Sequence, residues 1–329
     1  MKIYPLKLKP VLKDIIWGGT ALSDKFTLGG KGKHIAEAWT LALRCDGENI
    51  IENGVAKGIS LREYAEKVGM EKLCGEKFAG KDVYDFPLLV KLIDAKDNLS
   101  VQAHQNDEYS HSHDIDSDKT AMWYIVDSEP DARLVYGLKD ETDISSPEFQ
   151  AAISAGDISE YLNYVNVKPG DVYYIPAGLV HAIGAGILIA EVQQNSNSTI
   201  KIYDYGRRGA DVKLRELYLE CAKKIIKTDF SHDHSIGSQL PSETVGMPVL
   251  LVDSEFFKVK LLNTESGEKY SFTGGKLMHI MCVCGRAYLE SNSGESIQLT
   301  AAHSALVPAA CTGVVIYSEN NASVIISES

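Results

Sequence analysis

The residues of this chain best suited to chemistry are a glutamine and a histidine two apart, and a second histidine that follows a tight turn. The stretch from Val167 to Gly184 reads VKPGDVYYIPAGLVHAIG. Lys168-Pro169-Gly170-Asp171 makes the turn into a strand, Pro176-Ala177-Gly178 makes the turn out, and the next strand carries His181 inward. A neutral imidazole so placed suits a divalent transition metal; a lone histidine of this kind also serves as a satisfied core residue. Upstream, Leu99-Ser100-Val101-Gln102-Ala103-His104 puts Gln102 and His104 on one face of a strand, because successive side chains alternate. Gln102, His104 and His181 together form a set of mixed oxygen and nitrogen donors. Two other histidine pairs read differently. His111-Ser112-His113 sits in DEYSHSHDIDSD, polar on both faces, and reads as a surface loop. His232 and His234 belong to DFSHDHSIGSQLPSET (229–244), which has no period and reads as a linker.

Those donors need strands to hold them. Short apolar runs bounded by Gly, Pro and Asp read as strands over 86–94, 99–103, 121–126, 132–137, 171–175 and 187–193. IIWGG (15–19) and IAEAWTLALR (35–44) read the same way. Three helices interrupt them. Ser60-Leu61-Arg62-Glu63 is a capping box ahead of Leu61, Tyr64, Ala65 and Val68. Pro147 opens a second helix that carries Phe149, Ala152, Ile153 and Ile158, and a third, over 211–227, carries Leu214, Leu217, Tyr218, Cys221 and Ile225. Many short strands with helical interruptions argue for a sandwich or barrel. Gly170–Ala177 aligns with Ala302–Ala309 at an offset of 132 residues, which suggests two copies of one β unit. Gly313 then stands where His181 does, so the second copy has no metal site and its expected role is packing or dimerisation.

Composition narrows the class. A chain of 329 residues, 44% hydrophobic and 24% charged, is neither extensively disordered nor fibrous, and no stretch approaches the length of a membrane span. With 33 Lys and Arg against 45 Asp and Glu, its net charge of -12 repels nucleic acid and leaves an anionic small molecule possible where a few cations converge. MKIYPLKLKPVLKDII breaks its apolar run with Lys and Pro, so no signal peptide is read there and the cytoplasm is the expected location. Six scattered cysteines fit reduced thiols. Cys282 and Cys284 in MCVC are expected on one face of a strand as small core residues.

The spacing of Gly170, Pro176, Gly178 and His181 resembles the second half of the cupin signature. The wider chain resembles the type I mannose-6-phosphate isomerases of the short bacterial kind. IIWGG, IAEAW, FPLLVKLIDAKDNLSVQAH (86–104), DKTAMWYIVDSEPDARLVYG (118–137), GDVYYIPAGLVHAIG and EVQQNSNSTIKIYDYGR (191–207) follow one another in the family's order. The resemblance implies a mostly β fold: two cupin (jelly-roll) β-barrels with α-helical insertions in and after the N-terminal barrel. Residues 1–235 would form the catalytic domain and 245–329 a second, metal-free barrel.

It also implies one zinc ion (Zn2+) per chain, with Gln102, His104 and His181 as three of its ligands. The fourth, a glutamate in the family, falls on Ala121, which cannot coordinate; water, Asp116 or Asp118 would have to fill the place. Gln105 replaces a usual proline, and Lys201 replaces an arginine, which keeps the charge without the planar fork. The implied reaction interconverts mannose 6-phosphate and fructose 6-phosphate through a cis-enediol. Its catalytic groups would be Lys119, Glu191 and Lys201, with Lys91 and Arg207 as substrate contacts and Arg208 beside them. The expected partner is a phosphorylated sugar rather than nucleic acid or membrane, with a homodimer as the expected assembly. Ala121 also leaves open two other readings: a catalytically impaired sugar-phosphate-binding cupin acting as sensor or regulator, and an isomerase of altered substrate or metal.

Overall fold

The computed structural model describes residues 2–105, 119–209, 213–228, 230, 245–292 and 294–329. The His111/His113 loop, Asp116, Asp118, and the 229–244 stretch apart from Phe230 lie outside the described residues.

Strands dominate. The N-terminal ones are β1 (Leu6–Lys9), β2 (Val11–Lys13), β3 (Glu37–Leu41), β4 (Leu43–Arg44), β5 (Gly47–Glu48) and β6 (Ile50–Ile51). Next come β7 (Leu88–Ala95), β8 (Val101–Ala103), β9 (Ala121–Ser128), β10 (Arg133–Leu138) and β11 (Leu162–Asn166). They are followed by β12 (Val172–Ile175), β13 (His181–Ala182), β14 (Ile187–Gln194) and β15 (Ile200–Tyr203). The C-terminal part holds β16 (Val249–Asp253), β17 (Lys258–Thr264), β18 (Lys269–Thr273), β19 (Met278–Cys284) and β20 (Arg286–Ser291). It closes with β21 (Ser296–Thr300), β22 (Ser304–Val307), β23 (Gly313–Tyr317) and β24 (Ala322–Glu328).

Four larger sheets result. A six-stranded sheet has the order β12-β9-β14-β7-β3-β2, and a five-stranded one β11-β10-β13-β8-β15. A seven-stranded sheet runs β16-β17-β24-β19-β22-β1-β6, and a four-stranded one β18-β23-β20-β21. Alternation along each strand sends side chains into different cores. On β9, Trp123 and Ile125 join the cluster shared with Leu134 and Tyr136 of the five-stranded sheet, whereas Met122 joins the cluster shared with Met281 and Leu306 of the seven-stranded one. A third core, with Ile280 and Ile316, lies between the seven- and four-stranded sheets. The far face of the five-stranded sheet is covered by two helices (147–155 and 219–225) through Phe149, Ile153, Ala222 and Ile225.

The same topology occurs twice. The order β12-β9-β14-β7 is matched by β22-β19-β24-β17, and β11-β10-β13-β8 by β21-β20-β23-β18. The register agrees in detail: Ile175 pairs with Ala121 as Val307 pairs with Met278. Gly170 N–H donates to the Ile125 carbonyl (2.8 Å) as Ala302 N–H does to that of Cys282 (2.8 Å). Both Gly170 and Ala302 have positive φ, 93° and 67°, to make the turn into the strand. The offset of 132 residues seen in the sequence is thus a structural repeat, although β1 of the first copy pairs with β22 of the second.

Local expectations fare unevenly. Ser60 caps the helix Leu61–Val68 by accepting from the Glu63 N–H, and Ser146 caps Pro147–Ala155 in the same manner through Phe149. IIWGG is a turn and not a strand; Gly18 packs against Ala36 so closely that a Cβ would lie 2.5 Å from its Cα. The third helix is shorter than its periodicity predicts: it spans Leu219–Ile225, and Leu214 is exposed. A register shift between Cys282 and Cys284 breaks the alternation, so Cys282 is buried and Cys284 exposed.

Candidate active site

Cross-strand pairing arranges the functional side chains in two facing rows. On the five-stranded sheet Tyr136 pairs with His181, His181 with Gln102, and Gln102 with Lys201. On the six-stranded sheet Tyr173 pairs with Trp123, Trp123 with Glu191, Glu191 with Lys91, and Lys91 with Trp39. Directly paired residues share a sheet face, and ring contacts join the rows: Tyr136 to Tyr173 at 5.4 Å and His181 to Trp123 at 5.4 Å between centroids. Between the rows opens a cleft of about 660 Å³, lined among others by Lys91, Gln102, Lys119, Glu191 and Lys201.

At the closed end the donors converge. The rings of His104 and His181 meet edge to face, 4.3 Å apart. His181 Nδ1 lies 2.8 Å from the Leu179 carbonyl, which assigns the hydrogen to Nδ1 and leaves a lone pair on Nε2, 3.3 Å from the Gln102 amide nitrogen. A half-turn of that amide presents its oxygen to the same point. Neither ring nitrogen of His104 has a hydrogen-bond partner among the described residues, a costly state for a buried group. Burial holds both imidazoles neutral, His181 at about 4 and His104 well below the usual histidine value, with Lys119 adding to the effect on His104. Neutral, buried, unpartnered nitrogens beside an amide fit a divalent metal ion. Ala121 is buried on the same face of β9 as Trp123 and contributes only a methyl group. Among the described residues no three His, Cys, Asp or Glu side chains form a metal cage; the donor set is two imidazoles and an amide.

Next to these donors lies a charge cluster. Burial, only partly countered by Glu191, brings the Lys119 ammonium down to about 8. Burial pushes the Glu191 carboxyl up, but Lys119, Lys91 and the Trp123 indole N–H outweigh it and hold the group below the ordinary glutamate value. That indole donates to Glu191 Oε1 at 2.8 Å. Lys91 Nζ stands 3.9 Å from Glu191, 3.7 Å from Glu37 and 3.0 Å from the Asn197 side-chain oxygen. Glu37 in turn accepts from the Trp39 indole at 2.6 Å.

Of the residues expected from sequence, Gln102, His104, His181, Lys91, Lys119, Glu191 and Lys201 gather here. Arg207 does not. It does not line the cleft; its guanidinium binds the Asp204 carboxylate (Nε 3.1 Å) and stacks over Tyr205. An arginine in a basic pair looked like a free anion contact because the sequence did not reveal Asp204 as its partner. Five charged cleft residues escaped the sequence reading: Lys13, Asp14, Glu37, Asp46 and Arg215. Glu37 stood within the quoted IAEAW motif, but only strand pairing brings it to Lys91.

A mostly β scaffold thus buries imidazoles, carboxylates and lysines together between two sheets, which are the groups that acid–base chemistry uses. Residues 5–130 match the family model of phosphomannose isomerase type I, catalytic domain. Mannose-6-phosphate isomerase ManA of Bacillus subtilis is 42% identical over 228 residues, 69% of either chain, and a Streptococcus mutans mannose-6-phosphate isomerase is 36% identical over 66% of either chain. The crystal structure of the mannose 6-phosphate isomerase from Bacillus subtilis superposes with a TM-score of 0.82 at 28% identity, covering 98% of this chain and 99% of that one. The chain belongs to the type I phosphomannose isomerase family and is an enzyme of that family. No helix among the described residues is long and apolar enough to cross a membrane.

Proposed function

We propose that this enzyme interconverts mannose 6-phosphate and fructose 6-phosphate, with two cupin-like domains (1–235 and 245–329) of which only the first is catalytic. The observation that carries the reading is the pair of facing rows, which sets the donors Gln102, His104 and His181 against Lys119, Glu191 and Lys91. A zinc ion held by the three donors would supply Lewis acidity toward the sugar's carbonyl and hydroxyl oxygens. The protein's own groups do the rest. In the open-chain sugar, a base removes the C2 proton, the resulting cis-enediol exchanges its hydroxyl protons, and the proton is returned to C1. Glu191 and Lys119 are the two groups in the cleft placed to take and return that proton. Lys91, held between Glu37 and Glu191, gives both carboxylates a counter-charge, and Lys119 with Lys91 keeps Glu191 ionised. Trp123 and Trp39 fix the carboxylates through their indole N–H groups and exclude water from the sheet face. Lys201, beside Gln102, offers a positive charge to developing oxyanion character.

The test is turnover of mannose 6-phosphate by zinc-reconstituted protein, with a chelator-treated control. Turnover that the chelator abolishes supports the reading. A folded, zinc-loaded protein without turnover contradicts it and favours a sugar-phosphate-binding role.

A further inference from the structure

Beyond Lys201 the row of cleft residues continues off the sheet. β15 is an edge strand; at its free edge Tyr218 N–H donates to the Lys201 carbonyl at 2.8 Å, and three residues earlier Arg215 N–H donates to the Arg207 carbonyl, past the strand's end, at 3.1 Å. Arg215 itself lines the cleft. Its Nη1 donates to the buried Asp204 carboxylate at 2.9 Å and 3.2 Å, and the same carboxylate also receives Arg207. Arg207 further donates to the Asn98 carbonyl, which ties it into the structure away from the cleft. One carboxylate therefore positions two guanidinium groups. Among the described residues Arg215 has no side-chain hydrogen-bond partner besides Asp204, so most of its fork remains available.

Lys201 adds to this surplus. It is half-buried and lines the same cleft as Arg215. Two cations lining one cleft are a site for a multiply charged anion. A phosphate monoester carries about -1.5 to -2 at neutral pH and matches the arginine fork in a bidentate manner. Adjacent strands lie about 4.8 Å apart, so Lys201 is one strand spacing from Gln102, and Arg215, past the end of that strand, lines the same cleft. An open-chain hexose with its carbonyl end at Gln102 and His181 would extend its far end toward them.

We infer that Arg215, positioned by Asp204, binds the phosphate of the substrate and sets the preference for phosphorylated over free sugar. The inference rests on the isomerase reading above and deepens it. Lys201 contacts the sugar between the two ends, and Arg207 is a buttress rather than a substrate contact.

The experiment uses the full zinc-loaded chain and compares wild type with Arg215→Gln, Arg215→Lys and Asp204→Asn. Arg215→Gln is expected to raise KM for mannose 6-phosphate about 10- to 100-fold, the worth of a charged hydrogen-bonded pair, with kcat within about threefold. Competitive inhibition by inorganic phosphate should weaken by a similar factor. Arg215→Lys should recover part of the loss, and Asp204→Asn should raise KM less, with kcat again little changed. Unchanged KM and unchanged phosphate inhibition in folded Arg215→Gln would overturn the inference, as would a fall in kcat with KM intact. If wild type shows no turnover, the isomerase reading fails on its own. Calorimetric binding of inorganic phosphate then decides the inference: weaker binding by Arg215→Gln than by wild type supports it, and equal binding or none by wild type overturns it.

Discussion

The two halves of the molecule share a strand order and a register, yet they fill equivalent inward positions with different side chains. In the first half the row across the six-stranded sheet is Tyr173, Trp123, Glu191 and Lys91. The corresponding row in the second half is Ala305, Ile280, Ile326 and Lys260, the first three packed in an aliphatic core. Opposite, where His181 pairs with Gln102, the second half pairs Gly313 with Thr273. The same backbone thus builds either a polar cleft or a dry core, according to a handful of inward positions. A buried carboxylate survives in the first half because two lysines and an indole surround it; the second half offers no such surroundings and uses isoleucine.

Exchanging the contents of the rows sharpens that contrast. The largest effect is expected from Glu191→Gln, which keeps the shape and the indole contact but removes the charge and the proton-carrying group. Turnover should fall by about 10²- to 10⁴-fold in steady-state kinetics, and calorimetry should show a lower melting temperature, because Lys119 and Lys91 lose their buried counter-charge. Activity within a few-fold of wild type would remove Glu191 from the chemistry. The reciprocal change, Ile326→Glu, places a carboxylate where the only nearby lysine in the row, Lys260, already binds Glu328 at 2.6 Å. It should cost on the order of 3–5 kcal/mol in denaturant unfolding, and an unchanged midpoint would show that this core is wetter than its packing implies.

A smaller effect concerns the face both halves turn toward each other. His279 occupies in the second half the position that Met122 holds in the first, fully buried, with both ring nitrogens unpartnered among the described residues. Its cross-strand neighbours are Leu306 and Ser327, and burial lowers its pKa to about 3. A histidine whose folded value lies below its unfolded value near 6.5 contributes stability fully above about pH 6.5, and that stability is lost as the pH falls toward 3. His279→Met should therefore flatten the acid limb of the stability curve and gain about 1–3 kcal/mol near pH 5, measured by urea unfolding across that range. An acid limb identical to wild type would show that protonation of His279 does not limit the fold.

Much of this scaffold was legible before the structure. The Gly170-Asp171 turn, the strand after it and Pro176 recur at Ala302-His303 and Pro308, and that echo identified the repeat. The alternation of Gln102 and His104 and the turn before His181 located the donors. What the sequence hid depends on pairing between distant segments. Glu37 and Lys91 are 54 positions apart, and only the β3–β7 register brings them together. Arg207 was read as a substrate contact and Arg215 passed unnoticed; only the fold shows that both bind Asp204 and that Arg215 is the one lining the cleft. IIWGG misled for a local reason: its apolar run looked extended, while Gly18 was needed for close approach to Ala36.

The most direct test is the metal stoichiometry of the purified chain after dialysis against buffered zinc, in wild type and in His181→Ala. One zinc per wild-type chain and none in the variant is the expected result, because the second half has Gly313 and Thr273 where the first has His181 and Gln102. Two zinc ions per chain, or one retained by His181→Ala, would contradict the claim that the chemistry resides between the two rows of the first half alone.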